Sequence, residues 1–175
     1  MCFDKEETVE MEQFIKSFNK TFIVENRYKL FLTGIKNTVT IALFATLIGI
    51  AIGLIVAIIR YSAKSNRKLY VFDLFCKFYV SVIRGTPVVV QLLIMYYTIF
   101  VNMDNTVFIA IMTFGINSGA YVAEIARAGI ESVDKGQLEA GLSLGLNRSK
   151  TMFFIILPQA VKNILPALGN EFIAL

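Results

Sequence analysis

From Val39 to Ile59 the chain runs for 21 residues without a charged side chain. About 20 such residues, wound as a helix, cross the ~30 Å hydrocarbon layer of a bilayer. Backbone polar groups in that layer must be satisfied internally, and a helix does this. A secretory leader would be shorter, would start nearer the N-terminus and would carry a small-residue cleavage site. The remaining sequence agrees. Of 175 residues 56% are hydrophobic, the mean hydropathy is +0.65, and the excess lies in long runs, not at a period of 2 or 3.6. The expected class is an all-α integral membrane protein with several spans.

Four spans are expected, over about 38–59, 87–101, 106–126 and 157–174. Before them, residues 1–28 are acidic at first and then place Met11, Phe14, Ile15, Phe18, Phe22 and Ile23 at helical spacing. This predicts an amphipathic segment lying on a membrane surface. The first span carries Ala45, Gly49, Gly53 and Ala57 at strict i, i+4 spacing, a smooth face on which another helix can approach closely. Residues 71–83 mix Asp73 and Lys77 with aromatics and read as an interfacial helix or a slanted start to the second span. Arg84-Gly85-Thr86-Pro87 breaks that element, with Pro87 suited to the first position of the next helix.

Charge sets the orientation. Arg60, Lys64, Arg67 and Lys68 crowd after the first span, whereas the turn 102–105 has no Lys or Arg. Cations concentrate on the cytoplasmic side, so the N-terminus is expected to be extracytoplasmic. The net charge of +4 is thereby assigned to the membrane flank, and no nucleic-acid partner is expected. The chain contains no histidine, which excludes histidine-based catalysis and histidine-containing metal sites. Cys2 and Cys76 have no CxxC neighbour, so neither a disulfide framework nor a metal site is expected. No GxxxxGK[ST] occurs. No cofactor and no catalytic residue is expected, and any ATP hydrolysis belongs to another chain.

The segment Gly136 to Ala160, GQLEAGLSLGLNRSKTMFFIILPQA, interrupts the apolar runs. It reads Glu139-Ala140-Gly141, three residues, Gly145, nine residues, Ile155, one residue, Leu157-Pro158. A helix over 137–144 exposing Leu138, Ala140 and Leu142 is too small to stand alone, Gly145 permits a tight turn, and Leu157-Pro158 restarts a membrane helix. The pattern resembles the EAA loop of ABC-importer permeases, the cytoplasmic helix pair that docks into a cleft of the ATPase subunit. Arg84-Gly85-Thr86-Pro87 and the run Ala120 to Gln137 resemble the branch of that family that imports polar amino acids. Gly141 departs from the family's second alanine, and Gly costs about 1 kcal/mol in helix propensity relative to Ala.

The resemblance covers about residues 30–175 and implies a type I ABC-importer (MetI-like) helix bundle over 29–175, with a coupling loop over 128–156. It implies a permease subunit in a bacterial inner or plasma membrane that translocates a polar amino acid. The implied partners are an ABC ATPase subunit, an extracytoplasmic solute-binding protein and a second permease subunit, in a homodimer or heterodimer that the stripe from Ala45 to Ala57 would also suit. Family members continue into a fifth span, so a chain truncated at Leu175 is expected.

Polar residues inside the spans mark the candidate path. Asn117, Tyr121 and Glu124 share one face of the third span, beside a smooth stripe of Gly115, Gly119 and Ala123. Gln159, Asn163, Pro166 and Asn170 share a face of the fourth. Polar groups at bilayer depth are costly and usually face a bundle interior or a watered cavity. Glu124 is expected to pair with Arg127 at i, i+3. Asn117, Tyr121, Gln159 and Asn163 are expected to line the path for substrate, with a purely structural interhelical bond as the alternative for Asn117. A non-transporting membrane scaffold or small channel subunit is the alternative for the whole chain.

Overall fold

The computed structural model describes residues 3–63 and 67–174, and all regular elements among them are helical. The cationic loop position Lys64 and the terminal Cys2 lie outside the described residues. The chain divides into two compact units, residues 1–40 and 41–175.

In the first unit, α1 (Phe3–Phe18) passes through a π-turn, Asn19–Ile23, and a single 3-10 turn, Val24–Asn26, into α2 (Tyr28–Ala63). The turn ends on Asn26 at φ 56°, a left-handed conformation that asparagine tolerates better than most residues. Phe14, Phe18, Phe22 and Phe31 form a ladder with successive ring centroids 6.3, 4.9 and 4.9 Å apart. Met11, Phe14, Ile15, Phe18 and Ile23 are exposed, as are the polar residues between them.

The second unit is organised by the smooth face of α2. An added Cβ at Gly49 would lie 2.6 Å from Ser118 Oγ, and one at Gly53 would lie 2.5 Å from Val122 Cγ1. Reciprocally, one at Gly115 or Gly119 would lie 2.8 Å from Cγ2 of Ile48 or Ile52. The helix that uses the stripe is therefore α5 (Thr106–Glu131) of the same chain. Ala45, Gly49 and Gly53 are already covered, and the suggestion that they serve a second subunit is corrected. Both numbers rise together across these pairs, so α2 and α5 run parallel.

Parallel neighbours require the intervening chain to return to its starting side. It does so through α3 (Tyr70–Gly85) and α4 (Val88–Ile94), which continues as a π-turn over Met95–Ile99. The two pieces meet at a bend of 106°. The second span is thus not one straight helix over 87–101. Its apolar helix covers Val88–Ile99, about 18 Å at 1.5 Å per residue, short of the ~30 Å layer. The bent pair as a whole runs from Asp73, near Arg60, at one end to Phe100, on Phe108, at the other. Val56, Cys76, Val80, Ala120 and Ala123 form the core where α2, α3 and α5 meet.

After α5 come α6 (Lys135–Ser143), α7 (Arg148–Thr151) and α8 (Leu157–Ala174). Tyr28–Ala63, Thr106–Glu131 and Arg148–Ala174 are long and apolar enough to cross a membrane, and the described residues hold four such segments when the bent pair is counted as one. The last helix starts at Arg148 instead of restarting at Leu157. A π-turn over Met152–Ile156, in which Leu157 N–H reaches back to Met152 O, carries it through. Proline lacks an N–H and its ring clashes with the carbonyl four residues back; the widened turn lies immediately before Pro158 and accommodates both. Gly129 of α5 packs on Ile164 and Ala160 of α8, Asn163 bonds Ser132, and Glu171 lies beside Asn117 and Tyr121, so α8 runs antiparallel to α5. The end of the bundle that holds Arg60 therefore also holds α6 and α7.

Packing this close leaves no room for a side chain. Gly53→Leu should cost about 1–3 kcal/mol by overpacking and lower the thermal midpoint of the purified protein in detergent. Gly34→Ala, with nothing within 4 Å, should leave it unchanged.

Candidate functional site

The break between α3 and α4 is dictated by Thr86-Pro87. A residue before proline is pushed out of the helical region, and Thr86 is extended at φ −117° and ψ 141°. Pro87 is extended as well and caps α4 from one position before its first residue; its carbonyl accepts from Val90 N (3.0 Å) and Gln91 N (3.2 Å). A broken helix leaves carbonyls without partners, and one side chain takes them up. Gln91 Nε2 lies within hydrogen-bond distance of Ile83 O (2.8 Å), Thr86 O (3.1 Å) and Thr86 Oγ1 (2.8 Å) and shares its two hydrogens among them. Thr86 Oγ1 donates in turn to Val82 O at 3.0 Å.

The bend opens a cavity of about 570 Å³ whose lining includes Arg84, Thr86, Pro87, Asn117, Tyr121 and Glu171. That lies within the ~300–1,000 Å³ range of small-molecule sites. Arg84 lies over the Tyr121 ring at 5.2 Å from its centroid, a cation–π arrangement, and reaches towards Glu124 Oε1 at 3.9 Å. Asn117 is 8% exposed and donates Nδ2 to Gln91 Oε1 at 3.1 Å. The wall thus carries a guanidinium, a carboxylate, an amide and a phenol.

Glu124 gathers more than its expected partner. Arg127 binds it through Nε at 2.9 Å and also through its terminal nitrogen. Arg60 of α2 approaches its other oxygen at 3.5 Å. One carboxylate therefore meets arginines from α2, α3 and α5. Beside it Asp73, buried, binds Lys77 at 2.7 Å and faces Arg60 at 3.8 Å. Charges at this depth are costly unless compensated, and each carboxylate here faces more than one cation.

The four expected path residues do not converge. Asn117 and Tyr121 line the cavity. Gln159 instead bonds Ile155 O (2.9 Å) and Gln137 (3.3 Å), and Asn163 donates to Ser132 Oγ at 2.8 Å. These two tie α8 to α6 and to the end of α5. Gln91 and Glu171 went unmarked in the sequence. A lone acid in the last apolar segment could have flagged Glu171, whereas Gln91 gains its meaning only from the break.

The segment expected to form the coupling loop is built by capping. Asp134 accepts Gly136 N at 2.7 Å to open α6, and Asn147 accepts Lys150 N at 2.8 Å to open α7. Between them, Leu146 N→Gly141 O (3.1 Å) and Gly145 N→Leu142 O (3.0 Å) close α6 as a Schellman motif. Gly145 sits at φ +82°, where only glycine is unstrained. Gly141 is buried, and a Cβ there would run into Cγ2 of fully buried Thr151, with Thr151 Oγ1 at 2.9 Å. The departure from alanine thus has a steric partner across the turn. Glu139, Ala140, Leu142 and Leu144 are exposed on this helix, with Phe153 and Phe154 on the next; Leu138, expected on the same face, is half-buried.

This packing yields a paired test. Gly141→Ala should destabilise the segment despite a helix propensity gain of about 1 kcal/mol. Adding Thr151→Ala removes the two nearest obstructing atoms and should recover the loss, read as protease resistance of residues 135–151.

Three comparisons bear on identity. The family model for the binding-protein-dependent transport system inner membrane component matches residues 49–175. A putative glutamine transport system permease protein of Rickettsia felis is 42% identical over 94% of this chain and 71% of its own length. The arginine transport system permease protein of Bacillus subtilis is 39% identical over 82% of the chain and 65% of its own. A crystal structure of an amino acid ABC transporter with histidines superposes with a TM-score of 0.71 at 39% identity, covering 95% of this chain and 70% of the other. The relatives are transport permeases and give no support to a scaffold. The chain belongs to the binding-protein-dependent transport system inner membrane components, as a permease subunit.

Proposed function

We propose that this permease passes a polar amino acid through the cavity at the helix break. The observation that carries the reading is the presence of both Arg84 and Glu171 on the wall of one cavity that also holds Asn117 and Tyr121. A zwitterion presents a carboxylate and an ammonium, and a guanidinium and a carboxylate are the groups that bind them with charge-assisted hydrogen bonds. The relatives named for glutamine, arginine and L-cystine handle cargoes that share that zwitterionic end and differ in side chain.

The exposed face of α6 and its neighbours fits an ATPase subunit. A nine-residue helix is below the ~12–15 residues that stand alone in water. Thr151 and the Schellman turn hold it in place, leaving Glu139, Ala140, Leu142 and Leu144 for a partner. Gln159 and Asn163 serve as struts that carry movement of this segment into α5 and α8. Lys135, Arg148 and Lys150 lie at the same end of the bundle as Arg60, which makes that end cytoplasmic by its cations and the N-terminus extracytoplasmic, in a bacterial inner membrane. A solute-binding protein delivers cargo at the far end, and a second permease subunit completes the pathway.

Two variants separate the parts. Asn117→Leu should assemble normally with the ATPase and reduce uptake into proteoliposomes about tenfold at low substrate. Glu139→Lys should leave the spans inserted and weaken co-purification of the ATPase. Wild-type uptake by the first would remove the cavity from the path, and wild-type ATPase recovery by the second would remove α6 from the docking surface.

A further inference from the structure

The hydrogen bonds at the break fix more than the backbone. Ile83 O and Thr86 O are carbonyl oxygens and can only accept. The amide end of Gln91 that faces them, at 2.8 and 3.1 Å, must therefore be its NH2 group. Its Oε1 is then obliged to face α5. Asn117, at 3.1 Å from that oxygen, must present its own NH2. Two side-chain amides, each able to turn end for end, are thus set by two main-chain carbonyls that exist as acceptors only because Thr86-Pro87 stops the helix. Asn117 Oδ1 becomes the end of the amide that Gln91 does not hold.

We infer that Gln91 is a positioning residue which, by holding Asn117 through its N–H end, makes Asn117 Oδ1 an acceptor for a donor group of the transported molecule. The donor class is an ammonium or an amide N–H. Gln91 lies outside the residues that line this cavity and acts through Asn117. The assignment rests on the cavity being the substrate path.

The test uses the complete transporter with its ATPase and binding protein in proteoliposomes, and whichever of L-glutamine, L-arginine or L-cystine the wild type takes up fastest. Gln91→Met keeps the length and removes every hydrogen bond. It should raise KM about three- to tenfold, the size expected for losing one to two oriented hydrogen bonds, with kcat little changed. In an Asn117→Leu background the same change should add nothing, because a residue acting only through Asn117 has nothing left to orient. An unchanged KM for Gln91→Met beside a raised KM for Asn117→Leu overturns the positioning role. Effects that multiply in the double variant also overturn it, since Gln91 would then act by itself. An unchanged KM for Asn117→Leu removes the path reading and this inference with it. KM is read on whatever fraction assembles. Should no Gln91→Met complex assemble, Thr86→Val removes one anchor of Gln91 and should raise KM in the same direction by a smaller factor, an unchanged KM there counting against the role.

Discussion

The close contact of α2 with α5 governs the rest of the second unit. Glycine against the backbone of a neighbouring helix removes the side-chain layer between them, which is how membrane helices gain packing without a hydrophobic driving force. Gly49 and Gly53 on one side and Gly115 and Gly119 on the other leave no space for a Cβ. Four such contacts, in which the residue numbers on both helices rise together, fix the pair as parallel and in one register. Parallel alignment then obliges α3 and α4 to bring the chain back. The same contact sets Arg60 beside Glu124, so an ion pair at the end of the bundle depends on glycines two and three turns away.

Breaking the returning traverse has a cost that the local chemistry offsets. Backbone groups freed at bilayer depth must find partners, and here a glutamine and a threonine supply them. The bend creates a concave surface that a straight helix would not have. Arg84, at the end of α3, turns into that space over Tyr121 and within reach of Glu124. Glu124 is in contact with Arg127, which also binds Glu131. A continuous run of charged and polar contacts therefore links the cavity to Glu131 at the end of α5, next to Ser132 and its partner Asn163. Such a chain is a physical route by which a shift of α6 could reach the cavity.

Much of this was legible in the sequence, and the misses have a common cause. Spacing along one helix was read correctly: the stripe on α2, the stripe on α5, the face shared by Asn117 and Tyr121, and the pair Glu124–Arg127. The turn at Gly145 was legible because a lone glycine between short helical runs has few other uses. Matching one helix face to another was not legible. The α2 stripe suits a second subunit as well as it suits its actual partner α5, and the spacing of Gln159 and Asn163 fits a path although their side chains meet Gln137 and Ser132. Sequence periodicity gives a direction around an axis and says nothing of what stands opposite. Gln91 carries no signal in the sequence for a related reason, since its role appears only once the helix before it ends. Pro158 misled because a proline near a boundary suggests a start, whereas a π-turn absorbed it.

The central claim is that the cavity at the break holds the transported amino acid. The most direct measurement is substrate protection of a single cysteine at Phe114, which also lines that cavity: Phe114→Cys, with Cys2 and Cys76 replaced, in the complete transporter. Labelling by a small thiol reagent should slow severalfold when the transported amino acid is present under turnover, and labelled transporter should lose uptake. Labelling at an unchanged rate, with full uptake by the labelled protein, would contradict it.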